Sequence, residues 1–410
     1  MKRHLIGIGG VGMSALATAL VRLGDEVTGA DRTLGTPNIR FLESLGVKVF
    51  PDDGSGVDET TDEVVVSTAI EETNAGLRRA KDLGIPVTHR AAALSRALSG
   101  RKLVAVAGTC GKSTVTAMLG HVLAECGLDP LCVNGANVPG WEGAVRFGRG
   151  EYAVAEVDES DKSLVAFHPY AAIVTNASAD HYSKEEMDEV FDAFVKDCPG
   201  PVIDGRASGA AVAEVDTSLP GRHNRQNAAL ALRMALALGC DEARARAALL
   251  SFCGVERRLQ RISRDAASPA VFDDYAHNPE KLHAMWTTLT EKYPRGVCAV
   301  WRPHGYAPLR KMMDALADMF AATVRPQDKL LLLPVYDAGG TTDRSVNSDA
   351  LLAEVAKRMA PRTPPNVELV ADIAAARGWC TARKGDFDCF VTCGARDPEL
   401  PALARRLAEM

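Results

Sequence analysis

Lys112 and Ser113 stand directly behind a glycine, Gly111, and Gly108 lies three residues before it. A lysine and a hydroxyl at the mouth of a helix, after a turn open to small residues, are suited to holding a polyphosphate. The glycines let backbone N–H groups approach phosphate oxygens. The helix N-terminus adds partial positive charge. Lys112 can reach β- and γ-phosphates, and the Ser113 hydroxyl can ligate Mg²⁺. Thr109 and Thr114 complete the run Gly108-Thr109-Cys110-Gly111-Lys112-Ser113-Thr114. The general phosphate-loop spacing wants glycine at position 106, where this chain has Val106. Lys-Ser behind glycine, with a strand before and a helix after, still favours phosphate binding over a plain strand–turn–helix corner.

Four further groups of residues carry chemistry. Gly7-x-Gly9-x-x-Gly12, followed by Asp31 at the end of the next strand, is a dinucleotide fingerprint. Alone it would read as NAD binding, but the same loop can cradle any diphosphate, and Asp31 reads equally as a ribose ligand or a strand-end cap. Glu156, Asp158, Glu159 and Asp161 follow one apolar run, and Asp180-His181 follow another. Carboxylates and a histidine at strand ends beside a phosphate loop suit Mg²⁺, with a solvated acidic loop as the alternative for Asp158, Glu159 and Asp161. Asn224 and Asn227, three apart, share a helix face and read either as ligands or as a capping pair. Arg257-Arg258 and Asp274 complete the set, with an ordinary basic surface pair as the alternative for the arginines.

These residues must be positioned by alternating strands and helices. Strands are expected at 4–8, 26–30, 47–50, 63–67 and 86–88, with helices between them and at 91–98. After a linker at Ser99-Gly100, the apolar run 104–107 is a buried strand leading into a helix over 115–125. Further strands are expected at 131–133, 152–156 and 171–175, and at most two within 201–215. A helix spans 223–238. A third alternating region follows, with strands at 271–274, 297–301, 329–334, 367–370 and 387–392 and helices at 279–292, 309–322, 348–359 and 398–407. The fold class is α/β, with three domains: a Rossmann-like domain over 1–100, a phosphate-loop domain over 101–254, and a second Rossmann-like domain over 255–410.

Composition excludes several classes. The 410 residues are 47% apolar, enough for large cores, and carry a net charge of −6 with no basic stripe, so nucleic acid is not an expected partner. Ten cysteines are scattered without a Cys-x-x-Cys pair, which favours free thiols in a reducing cytosol over zinc or disulfides. The N-terminal apolar stretch resembles a signal peptide, but Gly7, Gly9, Gly10 and Gly12 interrupt it. It is read as strand, loop and helix, giving a cytoplasmic protein without a membrane span.

The ordered motifs resemble the Mur ligase family, and most closely its alanine-adding branch. Ile6-Gly7-Ile8-Gly9-Gly10-Val11-Gly12-Met13-Ser14 is similar to that branch's opening, and Ala107 to Thr114 to the family's own phosphate loop, which accounts for Val106. Glu156 to Asp161, Thr175-Asn176 through Asp180-His181, Gly221-Arg222-His223-Asn224 with Asn227, Arg257-Arg258, and Asp273-Asp274-Tyr275-Ala276-His277-Asn278-Pro279 resemble further family motifs. The resemblance implies an ATP-dependent amide ligase. It joins an amino acid, L-alanine by resemblance, to the carboxylate of UDP-N-acetylmuramate through an acyl phosphate, in peptidoglycan precursor synthesis. It implies UDP-substrate contacts at Gly9, Gly10, Gly12 and Asp31. Nucleotide contacts fall at Gly108, Thr109, Gly111 to Thr114, Asn224, Asn227, Arg258 and Asp274, and Mg²⁺ ligands at Ser113, Glu156 and His181. Lys112, Glu156, His181 and Arg258 take the catalytic roles, Arg258 toward ATP phosphate, and His277, His304 and Arg310 the remaining substrate contacts. Partners are small molecules (a UDP-sugar carboxylate, an amino acid and ATP), and the chain is expected to be a monomer or homodimer.

Some positions depart from the family pattern. The stretch between His181 and His223 is short. Gly305 replaces an arginine, the run Ala307-Pro308-Leu309 lacks another basic residue, Asn278 stands where the branch has a second histidine, and Cys110 often has a histidine counterpart. These leave three alternatives: a Mur-type ligase with a different acceptor or amine, an NAD-dependent oxidoreductase, and a non-catalytic nucleotide-binding protein.

Overall fold

The computed structural model describes residues 1–158, 163–177, 184–206, 214–264, 268–337, 343–359 and 366–410. They form three mainly parallel sheets with helices between the strands. The chain divides into two compact units, Met1–Val255 and Glu256–Met410. Among the described residues no helix is long and apolar enough to cross a membrane.

The first sheet contains β1 (Lys2–Ile6), β2 (Glu26–Asp31), β3 (Lys48–Pro51), β4 (Glu63–Val66) and β5 (Val87–His89), in the order β3-β2-β1-β4-β5, all parallel. The chain runs outward from β1 to β3 and then returns to the other side of β1. The crevice at β1's carboxyl end is therefore a topological switch point, where open α/β sheets hold ligands. The first strand begins two residues before the expected start, because Lys2 and Arg3 pair with Glu26 and Val27 although their side chains are polar. It stops at Ile6 because Gly7 turns away with φ +74°.

The second sheet contains β6 (Lys102–Ala107), β7 (Leu131–Val133), β8 (Val145–Arg146), β9 (Tyr152–Glu156), β10 (Ala171–Val174) and β11 (Val202–Asp204), in the order β11-β10-β6-β9-β7-β8. Residues Val104 to Ala107 of β6 are fully buried, as a central parallel strand covered on both faces must be. Connections leave β6 in both directions across the sheet, so its carboxyl end is again a switch point. Between His181 and His223, β11 is the one strand among the described residues, within the expected limit of two. The antiparallel β7–β8 hairpin and the helices Lys184–Val195 and Glu242–Ser251 were not anticipated. The last of these has almost no amphipathic contrast in sequence, and its short alanine-rich face becomes buried by packing against the helix Lys112–Glu125.

The second unit holds β12 (Gln260–Arg261), β13 (Ala270–Asp274), β14 (Val297–Trp301), β15 (Lys329–Leu332), β16 (Val367–Leu369) and β17 (Cys389–Cys393), in the order β12-β13-β17-β14-β15-β16. All pairs are parallel except the short β12–β13 ladder. The last strand enters between β13 and β14. Its register sets Asp274, Cys393 and Trp301 level along the carboxyl edge. The helices Pro279–Lys292 and Ser348–Met359 fall at the residues expected for them, and the helix Ile373–Ala382 is additional.

Candidate active site

The phosphate loop joins β6 to the helix Lys112–Glu125. Gly108 has φ +126° and Gly111 φ +84°, conformations that favour glycine. Space forbids a side chain too. A Cβ on Gly108 would collide with Thr175 Oγ1 and stand 2.9 Å from the Thr175 nitrogen, and one on Gly111 would stand 2.7 Å from Asn227 Oδ1.

Thr175 and Asn176, which follow β10, hold this loop in shape. The Cys110 N–H donates to Asn176 Oδ1 at 2.9 Å, and Asn176 Nδ2 donates back to the Cys110 carbonyl at 2.9 Å. Thr175 Oγ1 donates to the same carbonyl at 2.7 Å, and the Thr109 N–H to the Asn176 carbonyl at 3.2 Å. Asn176 thus occupies both backbone groups of Cys110 and leaves the loop a fixed outline. Lys112 Nζ donates to the Gly108 carbonyl at 2.7 Å, curling over its own loop. Ser113 and Thr114 are buried in the first helical turn.

The helix Arg222–Ala237 brings Asn227 against Gly111. Asn224 and Asn227 are both buried; Asn224 Nδ2 donates to the Pro220 carbonyl at 2.7 Å, which fixes its carboxamide. Glu156 ends β9, beside Val106 of β6. Its Oε2 accepts the Gly135 N–H at 2.7 Å, and a Cβ on Gly135 would strike that carboxylate. Glu156 is therefore held from the β7 side, near the loop's own strand. His181, Asp180, Glu159 and Asp161 lie outside the described residues. Ser113 and Glu156 are oxygen donors, the type Mg²⁺ takes. Among the described residues no group of three or more His, Cys, Asp and Glu side chains has a metal-holding arrangement.

At the first sheet's switch point, Asp31 is tied inward. Its Oδ2 accepts the Gly9 N–H at 2.9 Å and its Oδ1 the Thr33 N–H at 2.9 Å. Asn38 Nδ2 donates to the Gly9 carbonyl at 2.9 Å. Gly10 is the N-cap of the helix Val11–Arg22. A Cβ on Gly12 would come 3.3 Å from Arg90 Nη1, so a guanidinium lies beside this helix start. Arg90 was not singled out from the sequence. Its one signal is a position at the opening of a helix directly after β5, another carboxyl edge of the same sheet.

In the second unit, Arg257 and Arg258 separate into two roles. Arg257 Nε pairs with Asp273, which is completely buried, at 3.1 Å, and Asp273 also accepts from Thr392 Oγ1 at 2.6 Å. Arg257 is thus a structural residue, held at φ +59° with Leu259 at φ +45°. Arg258 stands between these two residues, and the guanidinium carbons of both arginines lie 5.2 Å from the Tyr275 ring centroid. Asp274 accepts the Leu259 N–H at 2.5 Å and the Ala276 N–H at 2.6 Å. Loss of hydration nonetheless outweighs nearby Arg258 and those N–H groups, and raises the Asp274 carboxyl to about 6.

His277 and His304 stack edge to face with centroids 4.8 Å apart, and Tyr275 meets His277 at 5.3 Å. Asn278 caps the helix Pro279–Lys292, accepting the Lys281 N–H at 3.0 Å. Arg310 reaches Asp343 at 2.6 Å and is largely exposed. Arg344 stands over Tyr306, its guanidinium carbon 5.8 Å from the ring centroid. The structure thus gathers Asp274, His277 and His304 at one sheet edge, with Arg310 beyond them on the next helix.

Known proteins share this chain's sequence and fold over most of its length. The profile "Mur ligase family, catalytic domain" matches residues 2–102, and "Mur ligase, glutamate ligase domain" matches residues 257–396. The chain is 34% identical to a UDP-N-acetylmuramate–L-alanine ligase of Rubrobacter xylanophilus, covering 97% of each. It is 35% identical to the ligase of the same name from Halorhodospira halophila, covering 87% of this chain and 83% of that one. Its fold matches the crystal structure of UDP-N-acetylmuramate-alanine ligase from Thermotoga maritima with a TM-score of 0.82 at 24% identity, over 100% of this chain and 98% of the other. A murein peptide ligase from Psychrobacter arcticus matches with a TM-score of 0.66 at 22% identity, again over 100% of this chain and 98% of the other. With two family profiles at its ends and full-length relatives above 30% identity, this chain belongs to the Mur ligase family.

Proposed function

We propose that this protein is an ATP-dependent ligase that joins L-alanine to the carboxylate of UDP-N-acetylmuramate in peptidoglycan precursor synthesis. The observation that carries the reading is the phosphate loop, pinned by Thr175 and Asn176 and closed to any Cβ at Gly108 and Gly111, within a chain 34% identical over its length to a ligase of that name.

In this reading the loop N–H groups and Lys112 bind the β- and γ-phosphates of ATP and stabilise charge on the transferring phosphoryl group. Lys112 must exchange its bond to the Gly108 carbonyl for phosphate oxygen. Asn224 and Asn227 set the nucleotide at the helix that borders Gly111. Ser113 and Glu156 would hold Mg²⁺, with His181 as the third assigned ligand. The ion, when bound, neutralises phosphate charge and orients its oxygens. The substrate carboxylate attacks the γ-phosphorus and ADP leaves. The amino group then attacks the acyl carbon, and phosphate departs. Two anionic reactants must be held in line, so positioning supplies much of the rate.

The glycine loop Gly9-Gly10-Gly12 and Arg90 are assigned to the substrate diphosphate. Asp31 acts through Gly9 as well as through any ribose contact. From the second unit, Arg258 and Asp274 are assigned to the nucleotide and His277, His304 and Arg310 to the substrates. Domain limits of 1–100, 101–254 and 255–410 and a cytoplasmic location go with this reading.

The test is phosphate release by purified protein with ATP, Mg²⁺, UDP-N-acetylmuramate and each amino acid in turn. Release with L-alanine is expected. No release with any amino acid would refute the assignment. Release with a peptide in place of an amino acid would move the protein to a recycling role, which the absence of basic residues at positions 305 and 307–309 makes the specific second reading.

A further inference from the structure

The amino edge of the second sheet, opposite the phosphate loop, borders a cavity of about 1060 Å³. Strands start along it: Lys102 opens β6, Glu151 and Tyr170 directly precede β9 and β10, and Pro199 stands shortly before β11. Backbone bonds tie this edge together. The Lys102 N–H donates to the Glu151 carbonyl, the Tyr170 N–H to the Leu103 carbonyl and the Gly200 N–H to the Tyr170 carbonyl, each at 2.8 Å. The linker Ser99-Gly100 forms one side, and the helix Lys184–Val195 another. Glu189, Val190, Ala193 and Phe194 share one face of that helix, and Asp197 follows just past its end. β6 runs six residues from this edge to the phosphate loop, so the two lie about 17 Å apart along the strand.

The walls are apolar. Leu103, Leu164, Phe167 and Phe194 line the cavity and are all buried within one core, so the space reaches inward rather than lying on the surface. A volume of this size suits a small molecule. The charges at the rim decide which kind. Lys102 pairs with Glu151 at 2.8 Å, which cancels both, and its ammonium stands 5.3 Å from the Tyr170 ring centroid. Arg101 turns its guanidinium to the Gly150 carbonyl at 2.9 Å and over the Phe147 ring, and neither of those residues lines the cavity. Glu189 and Asp197 are the remaining carboxylates of the lining. Among the described residues neither carboxylate has a hydrogen-bond or ion-pair partner.

We propose that this cavity binds a small organic cation, an amine or quaternary ammonium carried on an aromatic or branched apolar body. The body displaces water from Leu164, Phe167 and Phe194, which supplies the main favourable contribution. The cation lies at the rim, where one helix face presents Glu189 and Asp197, and the aromatic faces add to the attraction. An anion of the same shape would meet two uncompensated carboxylates, while both cationic groups of the rim are already turned to Glu151 and Gly150. The site is separate from the nucleotide loop and does not rest on the ligase reading.

The intact protein is titrated, by ligand-observed NMR, with benzyltrimethylammonium, with benzenesulfonate as the anionic control and with benzyl alcohol as the neutral one. The cation is expected to fill one site with a dissociation constant of about 1 mM or below, at least about fivefold tighter than either control. Glu189→Gln combined with Asp197→Asn should remove that preference and leave benzyl alcohol binding unchanged. Ala193→Trp, at an exposed position on the cavity face of the helix, places an indole in the space and should abolish binding of the cation with the melting midpoint retained. Benzenesulfonate binding as tightly as the cation, a cation preference that survives the double substitution, cation binding that survives Ala193→Trp, or no saturation by the cation below about 10 mM would each overturn the site.

Discussion

Asn176→Ala tests whether the phosphate loop is pre-shaped by its neighbour. The substitution keeps the backbone bond from Thr109 and removes two side-chain bonds, both 2.9 Å long, to the N–H and carbonyl of Cys110. Each is worth about 1 kcal/mol net. Together they give about 2 kcal/mol, or about 30-fold in the ATP dissociation constant, because binding must then order a loop that the wild type holds ready. Thr175→Val removes one donor to the Cys110 carbonyl and leaves Asn176 in place. It should weaken ATP by about fivefold, near 1 kcal/mol. The two changes share one acceptor, so their effects should not add. Calorimetric titration with ATP reads both. An Asn176→Ala affinity within threefold of wild type, in a protein with an unchanged melting midpoint, would refute the bracing argument.

Four further outcomes follow from the same geometry. Lys112→Ala should lower turnover by about 10²-fold, the scale of losing one charge partner of the transferring phosphoryl group; an unchanged steady-state rate would remove Lys112 from the mechanism. Arg90→Ala should raise the KM for the UDP substrate by about tenfold, a loss near 1.4 kcal/mol for one charge-assisted contact, while kcat stays near wild type, whereas equal falls in kcat and kcat/KM would place the residue elsewhere. Asp274 has its folded pKa raised to about 6, above the ordinary carboxylate value of 3.8. The stability it contributes is therefore complete below about pH 4 and lost as pH rises through about 6, amounting to roughly 3 kcal/mol at most. Urea unfolding at pH 4.5 and 7 should show that slope in the wild type and a smaller one in Asp274→Asn, and identical slopes would contradict the assignment. Finally, ATP should protect against alkylation at Cys110, whose backbone lies inside the pinned loop; equal labelling of Cys110 with and without ATP, read by mass spectrometry, would exclude it from the nucleotide pocket.

What the chain alone determined was local. The run 104–114 specifies a buried strand, a glycine turn and a helix start because each depends on neighbouring residues: apolar side chains for a covered strand, glycine for positive φ, and Lys-Ser at a helix mouth. The helices at 279–292 and 348–359 were legible as part of the alternation of strands and helices in the last third of the chain. The membership in a ligase family was legible because several such local motifs occur in order.

Tertiary structure decided what those motifs touch. Nothing in the local sequence says that Asn176 spans Cys110, that Asn227 closes on Gly111, or that Gly135 holds Glu156, because each pairing joins segments whose closeness depends on strand order. The same holds for Arg257 and Arg258, adjacent in sequence and alike in charge. Arg257 is committed to buried Asp273 and Arg258 lies near Asp274, while both guanidinium groups flank the Tyr275 ring. Asp31 shows the converse case. Its place at a strand end was readable, but its commitment to the Gly9 and Thr33 N–H groups was set by how the glycine loop folds back over β2. Long-range hydrogen bonds and burial are properties of the assembled sheet, and they turned a list of candidate residues into a site.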